Sequence, residues 1–236
     1  MTGVTALMQE DEIKGCFSSG SAQLGLNLSP LQVEQLIIYF SELMRWNKKM
    51  NLTGLRDPRE VLIKNFLDSM TPLSQLSPEQ GVDWMDVGTG AGFPGLVLKI
   101  ACPDLKMSLV EPTQKKVSFL HHLVGLLDLK GVSIFNERIE ALRGLVQNQS
   151  YDVLLTRALS PKCVLEGGIP LLRKGGRLLF FQAKFEAAWW EALLENEPFL
   201  MLEPPHPVSL PFSSDARVLV LIRALKTVES RYPLSE

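Results

Sequence analysis

Apolar and polar positions change rhythm near residue 82. Before it, apolar residues recur at helical spacing: Leu31, Leu36, Phe40, Leu43 and Met44 form one face of a helix. Its start is marked by Ser29 as N-cap, Pro30 at the first helical position and Gln32 as the capping-box partner, with Leu28 and Val33 spaced for a hydrophobic staple. Asp57-Pro58-Arg59-Glu60 opens a second helix by the same rules, with Leu62, Phe66, Leu67 and Met70 as its buried side. Asn47 to Arg56 reads as a loop of amide and basic groups, and Thr71 to Gly81 as a linker. Residues 1–25, polar and Gly/Ser-rich toward their end, read as loosely held.

From Val82 onward, strand and helix patterns alternate. The strand candidates are Val82–Val87, Lys106–Glu111, Val132–Asn136, Tyr151–Arg157, Arg177–Ala183 and Arg217–Arg223. Helical runs separate them: Gly95–Ala101, Gln114–Leu129 closing at Gly131, Arg138–Gln147, Pro161–Leu172 closing at Gly175-Gly176, and Phe185–Asn196. This alternation predicts an α/β fold, a mostly parallel sheet with helices on both faces, whose ligands bind outside the carboxyl ends of the strands. The final strand follows a long connection with Pro204, Pro205, Pro207 and Pro211, as an antiparallel seventh strand would. The expected organisation is a helical extension over residues 1–80, an α/β domain over 81–225 and a polar tail over 226–236.

Composition narrows the classes. At 236 residues, 46% hydrophobic and 21% charged, the chain reads as a soluble globular protein. Its apolar runs are short and broken by charge, so no transmembrane span is expected, and its start has no secretory pattern. Cys16, Cys102 and Cys163 lie far apart, without metal or redox spacing, which fits a reducing cytoplasm. No metal site is expected. The net charge of −2 means that any nucleic-acid role must rest on a local patch. Residues 41–65 hold one: Arg45, Lys48, Lys49, Arg56, Arg59 and Lys64 against Glu42, Asp57 and Glu60.

The chemistry concentrates at Asp86-Val87-Gly88-Thr89-Gly90-Ala91-Gly92-Phe93-Pro94-Gly95, between a strand and a helix. Glycines there let the backbone approach a ligand closely, and the helix start offers free N–H donors to an anion. Glu111, at the end of the next apolar run, stands where an acid grips a ribose diol in nucleoside-binding α/β folds. Two cofactor readings follow. Gly90-x-Gly92-x-x-Gly95 matches the dinucleotide fingerprint of an NAD-type oxidoreductase. Asp86-x-Gly88-x-Gly90-x-Gly92 matches the first motif of class I S-adenosylmethionine-dependent methyltransferases. The second is favoured by the acid before the first glycine, by alternate glycines starting directly after the strand, and by the proline-rich approach to the last strand. Strand-end geometry then places Asp86 near the cofactor's amino group, Glu111 at its ribose, and Gly88 and Gly90 along the turn.

A wider set of motifs sharpens the choice. Trp46-Asn47-Lys48-x-x-Asn51-Leu52-Thr53-x-x-Arg56-Asp57-Pro58 and Leu67-Asp68-Ser69 precede the glycine turn. Lys116 with Phe119-Leu120, Arg138-Ile139-Glu140, Thr156-Arg157-Ala158 and Ala183-Lys184 follow it. In this order the set resembles the small-subunit ribosomal RNA methyltransferase G family, formerly called glucose-inhibited division protein B, from about Leu28 to Arg223. The resemblance implies a Rossmann-like, mostly parallel seven-stranded sheet whose last strand is antiparallel, preceded by a helical extension. It implies methylation of N7 of one guanosine, guanosine 527, in the 530 loop of 16S ribosomal RNA. It carries cofactor contacts over to Gly88, Phe93, Ile139-Glu140 and Arg157. One position departs: family members often have histidine three residues before the Asp-Ser pair, where this chain has Asn65.

Guanine N7 carries a lone pair and no proton, so its attack on a sulfonium methyl needs neither a base nor an enzyme nucleophile. The chain agrees: Thr156-Arg157-Ala158-Leu159-Ser160-Pro161 follows the fourth strand, without the Asp/Asn-Pro-Pro-Tyr motif of exocyclic-amine enzymes, and Pro161-Lys162-Cys163 is not the Pro-Cys pair of cytosine C5 enzymes. No catalytic base or nucleophile is therefore assigned, and Arg157 is the candidate for positioning. Arg56, Lys115, Lys116, Arg138 and Lys184 are candidates for RNA contact. The expected partner is 16S ribosomal RNA or the small ribosomal subunit, met by a cytoplasmic monomer. A structural salt bridge for Arg157, a core role for Phe93, local pairing of Glu140, and surface placement of His121-His122 are the competing assignments. For Trp189-Trp190 a base-stacking platform competes with one core ring and one exposed ring. A non-catalytic small-subunit RNA-binding protein on the same fold also stays open.

Overall fold

The computed structural model describes residues 8–76, 81–142, 144–146 and 150–226. The polar tail beyond Lys226 and part of the expected linker lie outside the described residues, as does Gln147, the end of one expected helix.

The first helix, α1 (Glu10–Gln23), overturns the expectation of a loose N-terminus. Ile13 and Phe17 are buried, and the Phe17 ring meets Phe66 edge-on with centroids 5.3 Å apart. Two of the small residues that suggested a loop, Gly20 and Ser21, are buried, and a Cβ on Gly20 would come within 2.5 Å of Leu67. Next, α2 (Pro30–Met50) begins as its capping signals predict, Gln32 N donating to Ser29 Oγ and Ser29 N to Gln32 Oε1. It runs beyond the expected end at Asn47 and stops at Asn51, which is left-handed at φ 50. Leu36, Phe40 and Leu43 are buried, whereas Leu31 is 64% exposed and not part of the buried face. A bent helix follows: α3 (Pro58–Val61), a π-helical turn (Leu62–Leu67) and α4 (Asp68–Met70). Part of the expected linker is a buried 3-10 turn (Thr71–Ser74).

The sheet has strands β1 (Asp83–Val87), β2 (Lys106–Val110), β3 (Val132–Phe135), β4 (Tyr151–Thr156), β5 (Leu172–Gln182), β6 (Leu200–Leu202), β7 (His206–Ser209) and β8 (Ala216–Ala224). Their order is β3-β2-β1-β4-β5-β8-β6, with β7 also paired to β8. The first five run parallel, and β8 is antiparallel to β5. β6 and β7 both pair with the edge of β8 that β5 leaves free, so they form one edge strand interrupted near Pro204 and Pro205. This is the class I methyltransferase topology, seven strands with the last in sequence antiparallel. Part of the expected long connection is therefore strand, and Pro207 stands in it at the sheet edge, where proline is tolerated.

The connecting helices are α5 (Gly95–Ala101), α6 (Gln114–Leu126), α7 (Pro161–Gly168) and α8 (Ala187–Leu194). Three differ from expectation. α6 ends before Gly131, and Asp128 with φ 48 makes the turn. The helix expected from Arg138 is a single 3-10 turn, Ile139–Leu142. The helix expected to reach Leu172 stops at Gly168, because Leu172 already pairs with Tyr151 and starts β5.

Side-chain alternation along the strands feeds two cores. Trp84, Met107, Leu109 and Leu155 face the N-terminal helices, α5 and α6, in one continuous core that crosses the expected boundary at residue 80. Met85, Val87, Val110 and Leu154 face α7 and α8. Both sides of β1 and β2 are thus apolar, as buried parallel strands require. Among the described residues no helix is long and apolar enough to cross a membrane. No group of three or more His, Cys, Asp and Glu among them is placed to hold a metal ion.

Candidate active site

The carboxyl ends of β1, β2 and β4 meet at the glycine turn. Gly88, Gly90 and Gly92 have φ of 72°, 62° and 101°, a region that side chains disfavour, which is why glycine recurs there. The amides of Gly88 and Thr89 donate to Val110 O at 2.9 and 3.1 Å, tying the turn to β2. Above Gly90 the nearest atom to a built Cβ is 4.0 Å away, so this face of the turn is open. Above Gly88 lies Leu159, whose Cγ would be 2.9 Å from such a Cβ. The loop after β4 thus closes directly over the turn.

Asp86 lies beneath the turn, its Oδ1 without a hydrogen-bond partner among the described residues. It shares Trp84's face of β1 and is fully buried, with Oδ2 accepting from Gly95 N at 2.8 Å. The carboxylate therefore organises the start of α5 from beneath. Burial pushes its pKa up to about 6, against the opposing pull of the Thr89 hydroxyl, the Gly95 amide and the Arg157 guanidinium; Glu111 adds to the rise. Glu111 is also buried. Its Oε2 accepts from Gly90 N at 3.0 Å, its Oε1 from Thr113 N at 2.9 Å, and Lys116 Nζ stands 3.9 Å from Oε2. A carboxylate has about four lone-pair sites, so capacity for a diol remains.

Phe93 turns inward. It stacks on Tyr39 at 5.2 Å and 12°, meets Phe66 edge-on at 5.0 Å, and carries the Arg157 guanidinium 5.5 Å above its ring. Its side chain packs into the core. Ile139 is likewise buried, against Gly167 and Gly168, while Glu140 is exposed and accepts from Cys163 Sγ at 3.2 Å. Burial and then Glu140 push the Cys163 thiol up to about 11, so it is protonated and poorly nucleophilic at neutral pH.

Arg157, directly after β4, is anchored by residues some ninety positions earlier. Nη1 donates to Lys64 O at 3.0 Å and lies 3.8 Å from Asp68 Oδ2; Nη2 donates to Asn65 Oδ1 at 3.1 Å. Asp68, 1% exposed, is gripped bidentately by Arg217 of β8 at 2.7 and 3.0 Å. Asn65 fills its unusual position by accepting from Arg157 while its Nδ2 donates to Thr53 Oγ1 at 3.2 Å. Arg157 thus makes the structural salt bridge from a position directly after β4.

The sequence reading missed Tyr39. From the middle of α2 it reaches into the turn, its hydroxyl donating to Ala91 O at 2.6 Å. Its position between Leu36 and Phe40 made it look like ordinary packing. Arg217 was also missed, having been read only as the start of a strand.

The cations expected to meet RNA are spread around this edge. Lys115, Arg138 and Lys184 are exposed, while Lys116 is half-buried beside Glu111. Arg56 braces the turn after α2, with Nη2 donating to Asn51 Oδ1 at 2.9 Å. His121 is exposed, as expected of a surface residue, and His122, with its side chain 32% exposed, bonds Glu42 at 2.6 Å and packs on Trp46. Trp190 is core and Trp189 is 48% exposed, the one-in, one-out arrangement.

The donor set fits S-adenosylmethionine. The turn offers an open backbone cradle at Gly90, an acid sits at the end of β2, and Leu159 supplies an apolar wall over Gly88.

The comparisons agree with that fit. A model of the family described as rRNA small subunit methyltransferase G matches residues 32–210. A Ribosomal RNA small subunit methyltransferase G from Oceanobacillus iheyensis is 36% identical over 216 residues, 89% of this chain and 90% of that protein. One from Caldanaerobacter subterraneus is 34% identical over 221 residues, 92% of each. Among solved structures, a SAM dependent methyltransferase from Aquifex aeolicus matches with a TM-score of 0.56 at 18% identity, covering 74% of this chain and 97% of that one. TrmN from Thermus thermophilus matches at 0.53 and 16%, covering 70% and 53%. These two likenesses show the fold. The sequence matches show the lineage: the chain belongs to the rRNA small subunit methyltransferase G family.

Proposed function

We propose that this chain transfers a methyl group from S-adenosylmethionine to N7 of a guanosine in the 530 loop of 16S ribosomal RNA, acting as a cytoplasmic monomer. In this reading residues 1–80 are a helical extension and 81–225 the methyltransferase domain. The observation that carries it is the open turn at Gly88–Gly92, facing the Arg157 loop, in a chain of this family. Gly88 and Gly90 border the cofactor, Glu111 accepts from its ribose, and the Ile139-Glu140 backbone lies beside its adenine. When bound, S-adenosylmethionine supplies an electrophilic methyl carbon on a sulfonium.

The protein's part is to align. N7 has no proton to lose, so neither Asp86, sealed beneath the turn, nor Glu111, bonded to Gly90 N, is needed as a base. Arg157, held rigid by Lys64 O, Asn65 and Asp68, fixes the loop that closes one side of the cleft. Holding two reactants in line is worth about 7–11 kcal/mol. The guanosine must arrive unpaired, as bases methylated by sequence-specific RNA enzymes do. The test is mass spectrometry of 16S RNA from a strain lacking this protein. One 7-methylguanosine is expected to be missing, and an unchanged RNA sinks the reading.

A further inference from the structure

The motif Trp46-Asn47-Lys48-x-x-Asn51-Leu52-Thr53 is only partly explained by the site. Asn47 holds the turn after α2, its Oδ1 accepting from Thr53 N at 3.0 Å, and Asn51 ends the helix. Lys48 has no such task, and Trp46, which donates to Glu42 and packs on Phe119 and His122, takes no part in that turn. Trp46 instead forms, with Arg45, Lys49 and Met50, the wall of an apolar cavity of about 290 Å³.

Three observations give that cavity an occupant. The first is position. α2 and α6 pack antiparallel: Gln35 bonds Leu127 O, Glu42 bonds His122, and the Trp46 ring meets Phe119 at 5.4 Å. The end of α2 therefore lies beside the start of α6, at the sheet edge where Lys116 pairs with Glu111. Along α6, Lys116 and His122 are about 9 Å apart at 1.5 Å per residue.

The second is charge. The chain is net negative, and several of its exposed cations, such as Lys106, Lys130 and Arg173, are tied to carboxylates. Lys48 and Lys49 are exposed, and neither is in an ion pair among the described residues. The acid on this face, Glu42, already accepts from Arg45, from Trp46 Nε1 at 3.2 Å and from His122 at 2.6 Å. The third is the wall itself: an indole and a thioether beside Lys49 give apolar surface to a planar group whose neighbours are anionic.

We propose that this cavity takes one unpaired nucleobase of the RNA, a neighbour of the methylated guanosine, with Lys48 and Lys49 on the flanking phosphates. The inference rests on the RNA reading above. Base-on-aromatic stacking with cations tracking the backbone is how single strands are held without demanding sequence. The pocket keeps the RNA in place while the guanosine turns toward Gly88–Gly92.

The experiment measures labelled methyl transfer by the full chain to small subunits and to naked 16S RNA, for wild type, Trp46→Ala and Lys49→Glu. Thermal melts and calorimetric S-adenosylmethionine affinity are the folding controls. For Trp46→Ala the KM for RNA is expected to rise roughly 10- to 100-fold with cofactor affinity unchanged. For Lys49→Glu the salt dependence of RNA affinity is expected to flatten by about 0.7 in log–log slope. If Trp46→Ala unfolds, Lys49→Glu decides alone, since its side chain has no ion pair to lose. Unchanged KM and salt slope in the folded variants overturn the proposal. Loss confined to the assembled subunit also overturns it, in favour of a ribosomal protein. A wild-type chain that methylates no RNA removes the underlying reading instead, so the two failures are distinct.

Discussion

The loops after β1 and β4 meet where Leu159 covers Gly88, and they are held in opposite ways. The glycine turn is fastened by its own neighbourhood: Val110 O, Glu111 and the Asp86–Gly95 bond all lie within about 25 residues of it. The Arg157 loop is fastened at long range, through Lys64 O, Asn65 and Asp68, and through Asp68 to Arg217. The cradle is thus a local device, whereas the wall facing it depends on the N-terminal helices being docked. Tyr39 is the exception, a remote residue that enters the local half.

Changes on either side should separate the halves. Gly88→Asp attacks the turn: φ is 72° there, Leu159 blocks the new Cβ, and a second negative charge joins the cofactor's carboxylate. Calorimetric S-adenosylmethionine binding should fall below detection while the N-terminal helices stay folded by circular dichroism. Binding that survives would mean the turn is not the cradle. Asp68→Ala attacks the long-range half by leaving Arg217 and Arg157 unpaired in a largely buried site. A loss of about 3–5 kcal/mol in urea unfolding is expected, and a neutral result would show that the two guanidiniums find water.

The buried acid under the turn gives a pH signature. Asp86 titrates near 6 when folded against 3.8 when exposed, so folding favours its neutral form. Its contribution is full below about pH 3.8 and is lost as pH rises through about 6. The stability of Asp86→Asn relative to wild type should therefore climb by up to about 3 kcal/mol between pH 4 and 7 and then level off. A flat difference would mean the carboxyl is solvated. The smallest effect is expected for Tyr39→Phe, which strips the buried Ala91 carbonyl of its donor at a cost of about 1–3 kcal/mol. The same change should weaken cofactor affinity in calorimetry; a loss of stability alone would make Tyr39 a packing residue only.

Legibility followed the same divide. The parallel strands, the Ser29 cap and the glycine turn were readable because each is written in adjacent residues: apolar runs, a capping box, alternate glycines after a strand. Errors fell where a local signal has a different tertiary use. Gly20 and Ser21 signalled a loop but allow α1 to pack against Leu67. Prolines between Pro204 and Pro211 signalled a connection but sit along a sheet edge.

The amino-acid order by itself determined the α/β class, the turn and the family, because helix caps, strand alternation and glycine torsions act over a few residues. Only the folded chain decided which side of the turn each acid takes, that Tyr39 reaches Ala91, and that Arg157 answers to Asp68. Those choices depend on burial and on charges meeting across some ninety positions of sequence, where no local pattern fixes the partner.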